Sequence, residues 1–279
     1  MNDYIKRHLE KFHPIREIQN FIITQRPYKE VTDFETIILT EFNWGTNSKG
    51  IEEGYLEQRF RLFDKYTFPS VNAQTDKDFV WFLYLNSKTP QRFKEMIGEY
   101  QKQATMRQMI LAYVDSSGGR PSFGYVVRNN YKFNKKWLMT LRCDNDDILA
   151  NNYIEEIKKN FRPVNNMYID LIRGYNLNDK TGELNAYKCR SCHFLGYVEN
   201  TKERIFETVH NQDHSLAKNF GWMRRVDNKS YPLWCEVVHE TNRVNSFRGE
   251  KATDKEINYF ENNFTYKRNQ SIEENFGKG

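Results

Sequence analysis

An α/β fold with a mostly parallel sheet flanked by helices is the class this sequence predicts, and three observations predict it. Apolar and aromatic runs bounded by turn residues recur at Thr36 to Thr40, Phe79 to Leu85, Met109 to Val114 and Trp137 to Arg142, each short enough for a strand. Helical patterns alternate with them. Ile51 to Lys65 sets Tyr55, Leu56, Phe60 and Phe63 near one face, and Pro90 to Lys102 opens with Thr89 and a proline in its first turn. The connections are long enough for the crossovers that parallel strands require.

The second half has a different texture, α+β in character. Ile148 to Phe161 reads as a helix ended by Pro163. Met167 to Tyr175 and Leu184 to Tyr187 read as strands of a hairpin around the turn Asn178-Asp179-Lys180-Thr181-Gly182. Asp213 to Phe220 reads as a short helix and Leu233 to Val238 as a strand. Thr253 to Phe264 reads as a final helix, with Glu256 three residues after Thr253 to form a capping box. No repeat, low-complexity tract or Pro/Ser/Gly-rich linker divides the chain. One domain over residues 1–279 is therefore expected, with helical extensions at about 1–33 and 251–279 and a polar, frayed last dozen residues.

Composition narrows the function classes. Lys and Arg number 42 against 37 Asp and Glu, a net charge of +5, and the two signs are interleaved. A surface that neutralises nucleic-acid phosphates carries a stronger or more clustered excess, so no nucleic-acid partner is expected. With 15% aromatic residues the chain has ample material for a core. Its longest strongly apolar run, Phe79 to Leu85, is far below the ~20 residues that span a bilayer, and the mean hydropathy is −0.84. Met1 to Glu10 has no apolar segment of a secretory signal, and four cysteines are too few for a disulfide scaffold. A cytoplasmic protein is expected, with the basic stretch Lys6, Arg7, Lys11 and Arg16 able to rest against the inner face of the membrane.

The densest chemical signal is Trp137-Leu-Met-Thr-Leu-Arg142-Cys143-Asp144-Asn145-Asp146-Asp147, a buried strand that runs straight into three carboxylates. In open α/β sheets ligands bind outside the carboxyl ends of the strands. Clustered acids repel, and a divalent cation relieves the repulsion, Mg²⁺ in particular preferring one or two carboxylates plus substrate phosphates. The bland alternative is an acidic first turn that favours the dipole of the following helix. A calcium loop fails, because Ile148 and Leu149 stand where an oxygen ligand and a glycine are needed. Cys189-Arg-Ser-Cys192-His193 matches a haem-attachment spacing, yet no export signal and no second cysteine pair accompany it, which leaves buried structural thiols. Gly118-Gly119-Arg120-Pro121-Ser122-Phe123-Gly124 lacks the ending of a phosphate-binding P-loop, and no Gly-x-Ser-x-Gly elbow exists.

Several stretches together resemble the putative rhamnosyltransferase family, bacterial glycosyltransferases of the GT-A fold. They are Thr40-Glu41-Phe42-Asn43-Trp44, Arg59-Phe-Arg-Leu-Phe63, Phe68-Pro69-Ser70-Val71-Asn-Ala-Gln74-Thr75-Asp76 with Phe79-Val-Trp81, the Asp144-Asn-Asp146-Asp147 cluster, and Trp234 to Asn242 with Val238-His239. The likeness runs from about Ile37 to Val244. It implies a nucleotide-sugar half at about 34–147 and an acceptor half at about 148–250, with Mn²⁺ or Mg²⁺ held against the diphosphate of a nucleoside-diphosphate sugar and a saccharide as acceptor. The residues expected around the donor are Thr40, Phe42, Arg59, Asn86, Arg142 and Asp144. Asn86 stands where GT-A enzymes often carry an acid.

Sugar transfer develops negative charge on the departing diphosphate, which a divalent ion stabilises. Asp144 and Asp146 are the expected metal ligands, with His239 completing the shell from the far end of the chain and His214 next in line; the alternative for His239 is a structural histidine at a strand end. An inverting enzyme also needs a carboxylate base. Asp213 is the first candidate and Glu199 the second, and for Asp213 the alternative is a helix N-cap. Two other function classes fit the same residues: a non-catalytic carbohydrate or nucleic-acid binding module built on the aromatic and basic side chains, and a metal-dependent nucleotidyltransferase or phosphohydrolase.

Overall fold

Strand β1 (Phe34–Glu41) carries the run Thr-Ile-Ile-Leu-Thr, buried on both faces, and takes a central place in a seven-stranded sheet. The structure, a computed structural model, describes residues 13–28, 31–44, 47–115, 121–202, 207–210, 213–242 and 246–267. On one side β1 pairs in parallel with β2 (Val80–Asn86), and β2 in turn with β3 (Gln108–Val114). On its other side it pairs in parallel with β4 (Trp137–Arg142). The chain thus builds outward from β1 in one direction and then returns to its opposite flank, which opens a crevice at the carboxyl ends of β1 and β4. Alternate residues feed two cores, as the pleat requires. Ile38, Trp81, Leu83, Met139 and Leu141 face one side, and Ile37, Leu39, Val80, Phe82 and Leu138 the other.

Helices α1 (His13–Gln25), α2 (Glu53–Leu62), α3 (Phe68–Asn72), α4 (Gln91–Gln103) and α5 (Phe123–Asn130) accompany these strands. The single helix expected from Ile51 to Lys65 is instead a 3₁₀ turn at Asn47–Ile51, then α2, then a π turn at Phe63–Thr67 leading into α3. Proline at position 69 explains the break: it has no N–H to give the Lys65 carbonyl, and that carbonyl accepts from the Lys267 backbone N–H instead, at 2.8 Å. Helix α5 was not expected; Ser122 caps it by accepting the Tyr125 N–H.

The expected helix from Ile148 also starts later. Ile148–Leu149 form β5, buried and antiparallel to a later strand, and α6 spans only Tyr153–Lys159. A short apolar run has the same periodicity in a strand as in a buried helix. The segment expected as one strand from Met167 to Tyr175 is two, β6 (Met167–Leu171) and β7 (Arg173–Asn178), in different sheets. Trp234 occupies the break. Its Nε1 donates to the Leu171 carbonyl at 2.6 Å, and its ring lies where a Cβ on Gly174 would sit, 2.2 Å away.

Strands β6, β9 (Leu195–Asn200) and β10 (Trp222–Val226) extend the large sheet in the order β10-β6-β9-β4-β1-β2-β3, with β9 antiparallel to both neighbours. Strands β7, β8 (Leu184–Lys188), β11 (Trp234–Val238) and β12 (Glu250–Lys251) build a second sheet with β5, in the order β12-β8-β7-β11-β5. The β7–β8 hairpin closes at the expected turn, where Asn178 accepts the N–H groups of Lys180 and Thr181 and Gly182 takes φ +72°. A short 3₁₀ turn at His214–Leu216 leads into α7 (Ala217–Phe220). Helix α8 (Asp254–Asn263) begins with the Thr253/Glu256 capping box. This mixed α/β arrangement, a mostly parallel sheet flanked by helices with a second smaller sheet, is GT-A-like, and the loop Cys143–Asp147 is the joint between its two sheets. Gly118 to Arg120, Lys6, Arg7, Lys11 and the last twelve residues lie outside the described residues. No helix among the described residues is long and apolar enough to cross a membrane.

Candidate active site

The loop between β4 and β5 is held from three sides, which fixes where its acids point. The Thr67 hydroxyl donates to the Asp147 carbonyl at 2.9 Å, the Thr40 hydroxyl to the Cys143 carbonyl at 2.7 Å, and the Asn145 side chain to the Phe42 carbonyl at 2.7 Å. The consequence is that three neighbouring carboxylates receive three different partners.

Asp144 is gripped by Arg142, which donates from Nε and Nη2 to its two oxygens at 2.8 and 2.9 Å. Burial alone would raise its pKa; the guanidinium overrides this and holds the carboxyl well below its usual range. Asp146 accepts from Arg59 Nη1 at 2.9 Å and lies 2.9 Å from His239 Nε2. The His239 ring is closed off on its other side by the Thr241 hydroxyl, 3.0 Å from Nδ1. Asp147 is buried; it takes the Val237 N–H at 3.0 Å and meets His193 Nε2 at 2.7 Å. Burial pulls the His193 imidazole down, and the carboxylates of Asp147 and Asp144 more than reverse this, which raises its pKa above the usual histidine value.

A cleft of about 510 Å³ opens over this loop. Arg59, Arg142, Asp144, Asp146 and His193 line it together with Tyr55, Tyr187, Cys189, Cys192, Glu236, Thr241, Asn242 and Arg248. Asp213 and His214 form part of its rim. Three of the six residues expected around the donor, Arg59, Arg142 and Asp144, are in the cleft. Thr40, Phe42 and Asn86 are not among its lining: Thr40 bridges the Trp81 indole N–H and the Cys143 carbonyl, Phe42 packs edge-on against Phe60 and Phe63, and Asn86 shapes the turn after β2.

Among the described residues, the cluster able to hold a metal ion is Asp144, Asp147 and His193, whose ligand atoms all lie within 4.8 Å of one another. The set read from the sequence shares Asp144 with it; Asp146 and His239 sit beside it, paired with each other and with Arg59. His193 was read only as part of a Cys-x-x-Cys-His match, and the signal that singles it out, Asp147 across the sheet joint, exists only in three dimensions. All four cysteines are free thiols; Cys143, Cys192 and Cys235 are buried, and Cys189 is half-buried in the cleft wall.

The carboxylates expected as bases are placed differently from each other. Asp213 is exposed and caps the turn His214–Leu216: its Oδ1 accepts the Ser215 N–H at 2.9 Å and the Ser215 hydroxyl at 2.5 Å, which holds its pKa below the usual range. Glu199 lies on β9 opposite Leu138, away from the cleft lining, buried and accepting the N–H groups of Glu207 and Thr208. Burial pushes it up to about 7. A third carboxylate, Glu236, was missed. It lines the cleft from within the apolar strand β11; Oε2 accepts from the Asn176 amide at 2.8 Å, and among the described residues nothing is hydrogen-bonded to Oε1. Burial raises its pKa above the usual glutamate value. The clue available in the sequence was a glutamate inside an otherwise apolar strand, Trp234-Cys-Glu-Val-Val238, since a carboxylate is seldom buried without a task.

Fold and site define a mixed α/β protein with an arginine-lined cleft over an acidic, cation-compatible cluster. Comparison with known families identifies it further: a family model described as putative rhamnosyl transferase matches residues 48–251, most of the chain, and the chain belongs to that family. Comparison with curated proteins gives no match.

Proposed function

We propose that this protein is a metal-dependent glycosyltransferase that moves a sugar, rhamnose or another hexose, from a nucleoside-diphosphate donor to a saccharide acceptor. The observation that carries the reading is the convergence of Asp144, His193 and the buried Asp147 behind them at a cleft that Asp144 and His193 line together with Arg59, Arg142 and Arg248. The donor set fits Mn²⁺ or Mg²⁺: two carboxylates and one imidazole, with the imidazole favouring Mn²⁺. Bound there, the ion would supply Lewis-acid stabilisation of the negative charge that develops on the departing diphosphate.

The remaining work falls to the chain's own side chains. The guanidinium groups of Arg59, Arg142 and Arg248 give planar, charge-assisted donors to phosphate oxygens. Arg142 also fixes Asp144 in one orientation. For the acceptor, Glu236 is the better-placed base. It lines the cleft, Asn176 anchors one of its oxygens, and its raised pKa brings it nearer to neutrality, where a base works best. Asp213, the alternative, has its carboxylate committed to Ser215 and a lowered proton affinity.

Thermal unfolding with Mn²⁺, with each nucleoside diphosphate, and with both tests this reading. Coupled binding is expected, a ligand at 100 times its dissociation constant stabilising the fold by about 2.7 kcal/mol. Absence of coupling between metal and nucleotide would mark a binding module instead. Donor turnover at full rate without any saccharide would mark a phosphohydrolase or nucleotidyltransferase.

A further inference from the structure

Eight large apolar side chains are conspicuously exposed among the described residues, and five of them sit on two adjoining segments: Ile18, Phe21 and Ile22 on α1, and Leu216 and Phe220 at α7. The two segments are tied to each other and to the edge strand β10. Arg16 donates to the Asn219 carbonyl at 3.2 Å. Asn20 and the Met223 backbone exchange a reciprocal pair at 2.9 and 2.6 Å, and Arg224 donates to the Thr24 carbonyl at 2.6 Å. Asn20 and Thr24 therefore form the inner face of α1. The spacing Ile18, Phe21, Ile22 is the i, i+3, i+4 of its outer face, where these residues are 60%, 68% and 55% exposed.

We infer that this face is a membrane-docking surface, whose occupant is the headgroup–acyl boundary of a bilayer containing anionic lipid. The charge around it is on balance complementary to that surface: Arg16 and Lys218 are exposed on the two segments and Arg26 just after α1, against the acids Glu17 on α1 and Asp213 at the start of the second segment. An apolar helix face with flanking cations lies in the interface plane, and each cation near an anionic leaflet adds about 1 kcal/mol. Five side chains fall well short of the roughly 20 to 30 residues a side that a stable dimer buries. They suffice for interfacial anchoring. The chain also connects this surface to the cleft directly, since Asp213 and His214 on the cleft rim are followed at once by Leu216 and Phe220. Docking would hold the acceptor side of the cleft at the membrane surface, where a saccharide carried on a lipid would be presented. The inference does not depend on the metal or on the donor.

Co-sedimentation of the full chain with vesicles tests it, using phosphatidylcholine alone and phosphatidylcholine mixed with phosphatidylglycerol. The parent should pellet with the anionic vesicles, less in raised salt, and remain in the supernatant with the neutral ones. Phe21→Ser with Ile22→Ser, and separately Phe220→Ser, should each weaken partitioning at least tenfold while the unfolding midpoint and metal-coupled nucleotide binding stay at the parent's values. Both sites are exposed, so loss of the fold is not expected. Equal binding of parent and variants, or no binding of the parent to anionic vesicles, would overturn the inference. So would a concentration-dependent dimer in solution that the same variants dissociate, which would make a second copy of the chain the occupant.

Discussion

Asp146 and Asp147 are neighbours in one loop, each bonded to a histidine from elsewhere in the chain, and the two pairs are built for different ends. Asp146 meets His239 at 2.9 Å and also takes a guanidinium N–H from Arg59. Its charge is answered by a group that never titrates. Asp147 meets His193 at 2.7 Å and, apart from the Val237 N–H, has only that imidazole. Such a pair shares one exchangeable proton, and a cation can take the proton's place; beside it stands Asp144, completing the donor set. The difference teaches that proximity of acid and imidazole does not by itself define a metal site. What differs is the acid's other partner, an arginine for Asp146 and a backbone N–H for Asp147, while Asp144 in the proposed set is itself held by Arg142.

That contrast breaks most sharply at the Asp147 pair. Asp147→Asn keeps the shape and can still accept from Val237, yet it removes the charge the metal requires. Transfer should fall by about three orders of magnitude, as expected when the largest electrostatic contribution to a reaction is lost, and Mn²⁺-dependent thermal stabilisation should vanish. Turnover at the parent's level would overturn the assignment. Next in size is Glu236→Gln, which preserves the bond to Asn176 but removes the base. A loss of roughly 100-fold or more in transfer is expected, with donor affinity measured by titration unchanged. Loss of donor affinity instead would place Glu236 on the donor side.

The first half of the chain, through β4, was legible because its strands are buried on both faces and so read as continuous apolar runs between turn residues. Four parallel strands and the acidic strand end could be placed from residues alone. The second sheet was harder. Its strands are short, β6 and β7 follow each other with only Ile172 between them, and the switch of sheets is imposed by Trp234, which is 60 residues from Gly174 in the chain and on top of it in space. The same logic governs the site. Asp144 and Arg142 are sequence neighbours and were paired with the cleft from the start, whereas Asp147–His193 is made at the joint of the two sheets and Glu236–Asn176 by the pairing of β11 with β7, neither of which a local pattern encodes. Even Thr40 and Phe42, both within a family motif, turn out to brace the loop that bears the acids.

On the other side of the comparison, Asp146→Asn should be milder than Asp147→Asn. The amide still accepts from Arg59, so the loop keeps its shape, and a loss of about 10- to 100-fold is expected, on the scale of a group that supports a metal site without touching the ion. If Asp146→Asn instead abolishes Mn²⁺ stabilisation while Asp147→Asn spares it, the roles of the two pairs are reversed, and His239 becomes the imidazole ligand. Asp213→Asn should have a smaller effect still. Asparagine caps a helical turn as well as aspartate does, so turnover and unfolding midpoint should remain within a few-fold and a degree or so of the parent, on the order expected for a surface change. A 100-fold loss would make Asp213 the base in place of Glu236.

The smallest effect concerns Glu199, which extends the comparison to a carboxylate held by backbone N–H groups, with the charge of Arg128 only the least of the influences on it. Asp146 has a guanidinium and Asp147 an imidazole; Glu199 accepts the N–H groups of Glu207 and Thr208, and burial pushes it up to about 7 from an ordinary value of 4.5. Because the folded state binds this proton more tightly than the unfolded chain does, the contribution is fully present below about pH 4.5 and is lost as pH rises through about 7. The shift corresponds to roughly 3 kcal/mol across that window. Glu199→Gln removes the titration but accepts only one of the two N–H groups, so the variant should be less stable than the parent at pH 5. Its deficit should shrink steadily as pH rises, and its stability should be the flatter function of pH between 5 and 8. Urea midpoints of the two proteins measured across that range decide the matter, and parallel profiles would mean that Glu199 titrates at its ordinary value. Transfer activity should not move, since Glu199 is not among the residues that line the cleft.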